Sequence, residues 1–378
     1  MAVLRFANTT YFDFGALAQL PKVLRQLGVA RPLIATDRGI IAAGILAKVQ
    51  SALAPAGPIA VFDATPENPT EAAVMAAAAL YRDSGADGVV AVGGGSPIDL
   101  GKATALMALA GEPLLHYAGV ARGKVKRIAP LVAIPTTAGT GSEVSVGFIV
   151  ITADGRKRTF IADEFVPRVA ICDPELTLGL PPLLTAATGM DAVTHCIEAV
   201  LSPAVNPPAE AIGLDGLERA IKAGNLVRAV DDGGDRAARW QMMMAATEGA
   251  MAFSKGLGAV HAMSHSAGRL PGLRLHHGTL NAVILPAVLR FNREAAGDKQ
   301  ARLAAAMGLA PDADLAATIE TLNWRIGLPA SLGALGVGEA HIPELVEHAV
   351  TDLAGATNPR TATADDYRRL FVEAIGPA

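Results

Sequence analysis

Half of the eight histidines in this 378-residue chain stand in one short segment, GAVHAMSHSAGRLPGLRLHHGTLNAVILP, at positions 261, 265, 276 and 277. His261 and His265 are four apart, so on a helix both imidazoles leave the same face. Asp191 and His195, in TGMDAVTHCIEAV, repeat the spacing elsewhere. A lone histidine on a helix reads as a packed core group. Two such pairs and a His-His dipeptide in one half of the chain read as a divalent metal site. Aspartate with several imidazoles and no thiolate suits Fe(II), Zn(II), Mn(II) or Co(II). A catalytic cation of this kind keeps a position open, where it lowers the pKa of an alcohol and polarises a carbonyl. Cys196 follows His195 directly, so it projects about 100° away on the helix and reads as core.

Phosphate chemistry is suggested by two glycine-rich turns. In GVVAVGGGSPIDLGKA a strand runs into Gly93, Gly94 and Gly95, and then into a helix opened by Ser96 and Pro97. Bare glycine backbone admits a pyrophosphate closely, and the free N–H groups of the helix start favour its charge. The pattern is neither a GxGxxG fingerprint nor a Walker A loop. The second turn, IPTTAGTGSEVS, follows another apolar strand and offers Thr136, Thr137, Thr140 and Ser142 beside Gly139 and Gly141. Turns at the carboxyl ends of neighbouring strands are where open α/β sheets take nucleotides. A third strand end, PLIATDRG, carries Asp37. A carboxylate there accepts from an adenosine ribose and repels a 2′-phosphate, favouring NAD over NADP.

These groups need two kinds of scaffold. The apolar runs PLIATD, IAVFDA, GVVAVGGG and LVAIPTT alternate with alanine-rich helical stretches, the pattern of a buried, doubly wound parallel sheet. Beyond ELTLGLPPLLTAATGM the β-rich runs vanish, and Pro181 and Pro182 suit a helix start. The expected organisation is an α/β dinucleotide-binding domain over 1–177 and an all-helical metal and substrate domain over 178–378, with turns at SPAVNPP, DDGGD and RLPGLRLHHG. The length itself favours two domains. With 51% hydrophobic residues the aliphatic core is large, yet no apolar run reaches the ~18 residues of a membrane span. The N-terminus lacks an apolar leader, and two cysteines, Cys172 and Cys196, give no disulfide framework, so a cytoplasmic protein is expected. A net charge of −4, with one basic cluster at Arg122 to Arg127, predicts no nucleic-acid partner.

Together, GGGSPIDLGKA, IPTTAGTGSEVS, GMDAVTHCIEA, FSKGLGAVHAMSH and HHGTLNAVILP resemble the iron-containing (group III) alcohol dehydrogenases. The likeness runs from FDFGALAQLPKVL and PENPT to TNPRTATADDYRRLF. It implies the dehydroquinate synthase-like fold: a Rossmann-like N-terminal domain binding NAD(P), an all-α C-terminal domain holding one divalent metal, and an active site in the cleft between them. The implied ligands are Asp191, His195, His261 and His277, the histidine before the glycine of HHG, with His276 as the alternative by one register step. His265 corresponds to a histidine that relays protons or positions substrate without binding metal. For the cofactor, the resemblance implies Gly93, Gly94, Gly95 and Ser96 with Asp99 at the pyrophosphate. It places Thr136, Thr137, Thr140 and Ser142 beside pyrophosphate and ribose, Asp37 at the NAD-selecting position, and Lys157 near the nucleotide. A homodimer is implied as well.

The expected function is metal-dependent, NAD(H)-linked alcohol oxidation or aldehyde and ketone reduction by hydride transfer, with Fe(II) or else Zn(II). Arg269 and Arg274, on the loop between His265 and His276, could hold a carboxylate bidentately, which would make the substrate a short hydroxy acid or its semialdehyde. Two alternatives share the fold. A metal-free reductase of the maleylacetate type has no need of the ligand positions, which are all retained here. A dehydroquinate-synthase-like cyclase takes glutamate as its first ligand, where this chain has Asp191.

Overall fold

The computed structural model describes residues 8–53 and 59–376. The chain forms two compact units: one runs to Thr137 and resumes over Gly141–Gly179, and the other runs from Leu180 onward and includes Ala138–Thr140.

The strands of the first unit are β1 (Thr9–Phe12), β2 (Pro32–Ala35), β3 (Ala60–Phe62), β4 (Gly88–Gly93), β5 (Gly119–Val120), β6 (Leu131–Pro135), β7 (Gly147–Ile151), β8 (Lys157–Ile161) and β9 (Val169–Cys172). Its helices are α1 (Leu20–Gln26), α2 (Arg38–Ala42), α3 (Ile45–Ala52), α4 (Glu71–Asp83) and α5 (Gly95–Met107). Six strands form a wholly parallel sheet in the order β1-β9-β6-β4-β2-β3. Every residue of β2, β4, β6 and β9 is buried, because both faces of the sheet are covered. Alternate side chains feed opposite cores: Val89 and Ala91 join Leu33 and Leu131 on one side, while Val90 and Val92 join Ile34 and Ile134 on the other. This is the doubly wound architecture expected from the apolar runs.

A small sheet of order β5-β8-β7 stands apart from that expectation. β7 and β8 are antiparallel, and Phe148 stacks on Phe160 with ring centroids 4.8 Å apart. Its strands are short and half-buried, and KRTFI opens on two cations, so local sequence did not announce it.

The second unit is helical: α6 (Pro182–Leu201), α7 (Pro207–Leu217), α8 (Asn225–Asp231), α9 (Arg236–Ala252), α10 (Ala259–Ala267), α11 (His277–Ala296), α12 (Lys299–Ala306), α13 (Leu315–Arg325), α14 (Ile342–Thr351) and α15 (Ala364–Ile375). The three anticipated turns separate α6 from α7, α8 from α9, and α10 from α11. α6 is buried continuously from Thr185 to Leu201. Two buried cations secure its ends. Arg239 donates to Thr185 Oγ1 (2.8 Å) and Leu180 O (3.2 Å) at the start, and Lys255 Nζ donates to the carbonyls of Ala199, Val200 and Ser202 at the end, with Glu210 2.8 Å away. The lysine answers carbonyls that have no intrahelical donor and complements the negative end of the helix dipole.

Pro286 inside α11 has no N–H for the carbonyl of Ala282, one turn earlier; Asn323 Nδ2 of α13 donates to it instead at 2.7 Å. Among the described residues no helix is long and apolar enough to cross a membrane. Both cysteines are free and buried.

Candidate functional site

Three helices of the second unit each present a pair of polar side chains four residues apart: Asp191 and His195 from α6, His261 and His265 from α10, and His277 and Asn281 from α11. One turn of helix separates the members of each pair, so each pair shares a face. The faces converge. Asp191 Oδ1 lies 3.6 Å from His195 Nε2, 3.7 Å from His261 Nε2 and 3.6 Å from His277 Nε2. Donors about 2.1 Å from a common ion, at tetrahedral angles, stand roughly 3.4 Å apart, so these separations suit a first-row divalent cation. Asp191, His261 and His277 hold their ligand atoms within 4.8 Å of one another, and His195 reaches the same carboxylate oxygen from one turn along α6. His277, the first residue of α11, faces this carboxylate, while His276 is its N-cap.

The approach is close because glycine lines it. A Cβ on Gly278 would lie 2.1 Å from the carbonyl oxygen of Ala187 in α6, and one on Gly249 of α9 would lie 3.0 Å from that of Ala192. Asp191, His195 and His261 are all but sealed from water, and His277 is about one third exposed. Burial opposes ionisation of Asp191, but the facing imidazoles of His195, His277 and His261 outweigh it and hold its carboxyl well below the usual carboxylate range. Burial pushes His195 down to about 4, against the pull of Asp191. His261 is also disfavoured as a cation by burial, yet its bonds to Asp191 and Glu198 raise it to about 9. Its Nδ1 is 2.6 Å from Glu198 Oε2, so the second proton lies on Nε2 and is the one that a cation replaces on binding.

His265 stands beside this cluster, its ring 5.3 Å from that of His277 and nearly parallel to it. Its Nδ1 pairs with Asp352 Oδ2 at 3.1 Å. Burial raises the Asp352 carboxyl, and His265 more than reverses that, leaving it lowered. Phe253 closes on the edge of His195, centroids 4.9 Å apart.

In the first unit the two glycine turns lie side by side, since β4 and β6 are adjacent and Gly93 is in register with Pro135. Gly93 has φ of +148°, and a Cβ there would meet Pro97 Cγ at 2.5 Å. Gly94 is the N-cap of α5 and gives no side-chain cap to its first-turn N–H groups. Thr136 N–H donates to Gly93 O, joining the turns, and the Thr137 side chain faces Gly94. Asp99 is partly buried and holds the second turn from behind: Oδ1 accepts from Ser142 Oγ at 2.6 Å and Oδ2 from Ile149 N at 2.9 Å. Burial raises its carboxyl. Ser96 Oγ donates to Glu67 O, tying the helix start to the PENPT segment, and Lys157 Nζ donates to Asn68 Oδ1 of that segment at 3.1 Å. Asp37 caps α2 through Ile40 N–H at 2.9 Å, at the carboxyl end of β2. Thr140 groups with the helical unit, as does Gly139, whose added Cβ would strike Thr188 O at 2.5 Å.

The family model for iron-containing alcohol dehydrogenase matches residues 7–174, and that for the C-terminal part of the Fe-containing alcohol dehydrogenase family matches residues 185–375. The chain belongs to the iron-containing alcohol dehydrogenases. It is an oxidoreductase acting on CH–OH groups. It is 49% identical to a 4-hydroxybutyrate dehydrogenase from Cupriavidus necator, across 99% of this chain and 100% of that one. A crystal structure of 1,3-propanediol oxidoreductase superposes with a TM-score of 0.94 at 36% identity, covering 99% of this chain and 100% of the other. A sulfoacetaldehyde reductase from Bifidobacterium kashiwanohense, solved in complex with NAD+, gives a TM-score of 0.89 at 28% identity, covering all of both chains.

Sequence reasoning missed three polar groups of this alcohol dehydrogenase. Glu198 and Asp352 orient His261 and His265. Asn281 Nδ2 donates to Asp191 Oδ1 at 2.7 Å and lies 3.2 Å from His277 Nε2 and 3.3 Å from His261 Nε2. Spacing could have found two of them, because Glu198 is seven residues after Asp191 and Asn281 four after His277, each on its ligand's face. Asp352 gave no such signal, being 87 residues from His265.

Proposed function

We propose that this alcohol dehydrogenase interconverts a short ω-hydroxy acid, 4-hydroxybutyrate or a close analogue, and its semialdehyde, with NAD(H) as cofactor and one divalent cation, Fe(II) in the first place, held by Asp191, His195, His261 and His277. The observation that carries the substrate reading is 49% identity to a 4-hydroxybutyrate dehydrogenase over essentially the whole of both chains. Arg269 and Arg274 support it, since they lie on the loop that joins α10, which carries His265, to α11, which opens with His277.

One carboxylate oxygen and three imidazole nitrogens are a donor set that fits Fe(II) or Zn(II). A divalent cation, when bound, supplies Lewis-acid polarisation of the substrate oxygen. The remaining work belongs to side chains. Asp352 accepts a hydrogen bond from Nδ1–H of His265, which keeps that proton on Nδ1 and leaves Nε2 with a lone pair to accept the hydroxyl proton during oxidation and return it during reduction. The Gly93–Gly95 turn and the uncapped start of α5 receive the pyrophosphate; Thr136, Thr137, Thr140 and Ser142 line the second turn. Asp99 positions that turn, and Asn68 steadies Lys157. The carboxylate of Asp37 selects NAD by accepting from ribose and repelling a 2′-phosphate. Nucleotide binding is thus assigned to residues 1–177 and metal and substrate binding to 178–378.

Protein purified without oxygen should carry about one metal per chain, lose turnover to a chelator and regain it with Fe(II) or Zn(II). On such protein kcat/KM should favour 4-hydroxybutyrate over 1-butanol. Arg274→Ala should lower it for the acid by ~10-fold to ~100-fold, the worth of a charge-assisted hydrogen bond of about 1.5–3 kcal/mol, and leave 1-butanol unchanged. Equal values for both substrates in both proteins would reject the acid as substrate.

His265→Ala should reduce turnover by at least ~100-fold and flatten its pH profile, with metal content intact. If metal disappears with the imidazole, His265 belongs among the ligands rather than in proton transfer.

A further inference from the structure

We propose that Glu198 is a positioning residue that sets which nitrogen of His261 is free for the metal, and that it does so from the N-terminal cap of the helix carrying that histidine. The proposal rests on the reading of Asp191, His195, His261 and His277 as a cation site. Glu198 is buried, one turn beyond His195 on α6, and its two oxygens have separate tasks. Oε1 accepts from Val260 N–H at 2.7 Å, answering one of the N–H groups that open α10, while Oε2 meets His261 Nδ1 at 2.6 Å. A carboxylate only accepts, so it keeps a proton on Nδ1 and leaves Nε2, which faces Asp191, as the atom that gives up its proton and presents a lone pair to a cation. The neighbouring residue has its own cap, since Ala259 N–H donates to Asn358 Oδ1 at 3.1 Å. Gly258 makes room for both caps: a Cβ there would lie 2.7 Å from Glu198 Oε1 and 2.9 Å from Asn358 Oδ1.

Glutamine at 198 would be nearly isosteric and yet opposite in effect. Its carbonyl can keep the Val260 bond, but its NH2 group then faces His261 Nδ1 and must donate. That turns the imidazole to the tautomer with hydrogen on Nε2, which cannot ligate. Partners of this type change metal affinity by about 10–100-fold when removed. In Glu198→Gln the dissociation constant for Zn(II), measured by competition with a chromophoric chelator, should rise about 10–100-fold, with the melting temperature of the metal-free protein close to that of wild type. Asn358→Ser removes the adjacent cap without touching His261; it should lower that melting temperature and leave Zn(II) affinity within about 3-fold.

Wild-type affinity in Glu198→Gln would overturn the proposal, as would equal losses of affinity in both variants, which would make Glu198 a structural cap alone. Should Glu198→Gln not fold, 15N NMR of histidine-labelled, Zn(II)-loaded wild type decides: a protonated Nδ1 on His261 supports the assignment and a bare Nδ1 refutes it. A wild type that binds no cation would sink the reading of the site itself, a result distinct from any of these.

Discussion

Asp191→Asn should bind its cation at least ~1000-fold more weakly than the wild type and retain less than ~0.1% of its turnover. The substitution keeps the volume and shape of a side chain that is 2% exposed, so α6 and its packing survive. What disappears is the negative charge 3.6–3.7 Å from three imidazole nitrogens. Lewis-acid polarisation is worth several kcal/mol, and ~4 kcal/mol is about a factor of 1000 in rate. Metal analysis of protein purified without oxygen, followed on the same sample by NADH formation from 4-hydroxybutyrate, measures both quantities. Metal-free protein with full turnover would show that the cluster does not serve the chemistry, and a reductase of the metal-independent type would then replace the present reading. Asp191→Asn that keeps its metal would remove the carboxylate from the ligand set.

Gly278→Ala should damage the same site through the backbone. The new methyl would lie 2.1 Å from the carbonyl oxygen of Ala187, 2.7 Å from its carbonyl carbon and 3.3 Å from Asp191 Cβ. A carbonyl in the middle of α6 cannot rotate away without breaking its helical bond, so α11 must retreat, and His277 precedes Gly278 directly. Overpacking of a core costs about 1–3 kcal/mol; we expect the upper end, ~3 kcal/mol, because the obstacle is main chain. For a domain of this size that corresponds to a fall in melting temperature of roughly 6–12 °C. A ligand displaced by about 1 Å should lower turnover a further ~100-fold. Gly111→Ala, where nothing lies within 4 Å of the added carbon, serves as the control and should move stability by less than about 0.5 kcal/mol. Thermal melts and metal content of the two variants test the contrast. If Gly278→Ala melts with the control, α6 and α11 are not in the contact described.

Periodicity and local chemistry explain what could be read without coordinates. The parallel sheet is a matter of unbroken apolar runs, and β2, β4 and β6 are where PLIATD, GVVAVGGG and LVAIPTT placed them. A histidine four residues from an aspartate shares its face on any α-helix, so Asp191 with His195, and His261 with His265, form pairs before any tertiary contact is made. The glycines before α5 declare an open turn for the same local reason. The β5-β8-β7 sheet escaped because its strands are short and only half-buried, and the antiparallel pairing and packed phenylalanines that hold it are tertiary contacts.

By itself, then, the sequence determined which elements form and which side chains each element turns to one side, because these follow from backbone periodicity and nearby residues. Only the tertiary structure decided which faces meet: that His277 points at Asp191, that Asn281 joins them, and that Glu198 and Asp352 stand behind His261 and His265. The partners in those last two contacts are 63 and 87 residues apart. Their encounter depends on how closely buried segments can approach: the absence of a side chain at Gly258 leaves room for Glu198 Oε1, just as that at Gly278 leaves room for the carbonyl of Ala187 where α11 meets α6. No local pattern encodes such a distance; it emerges only when the helices pack.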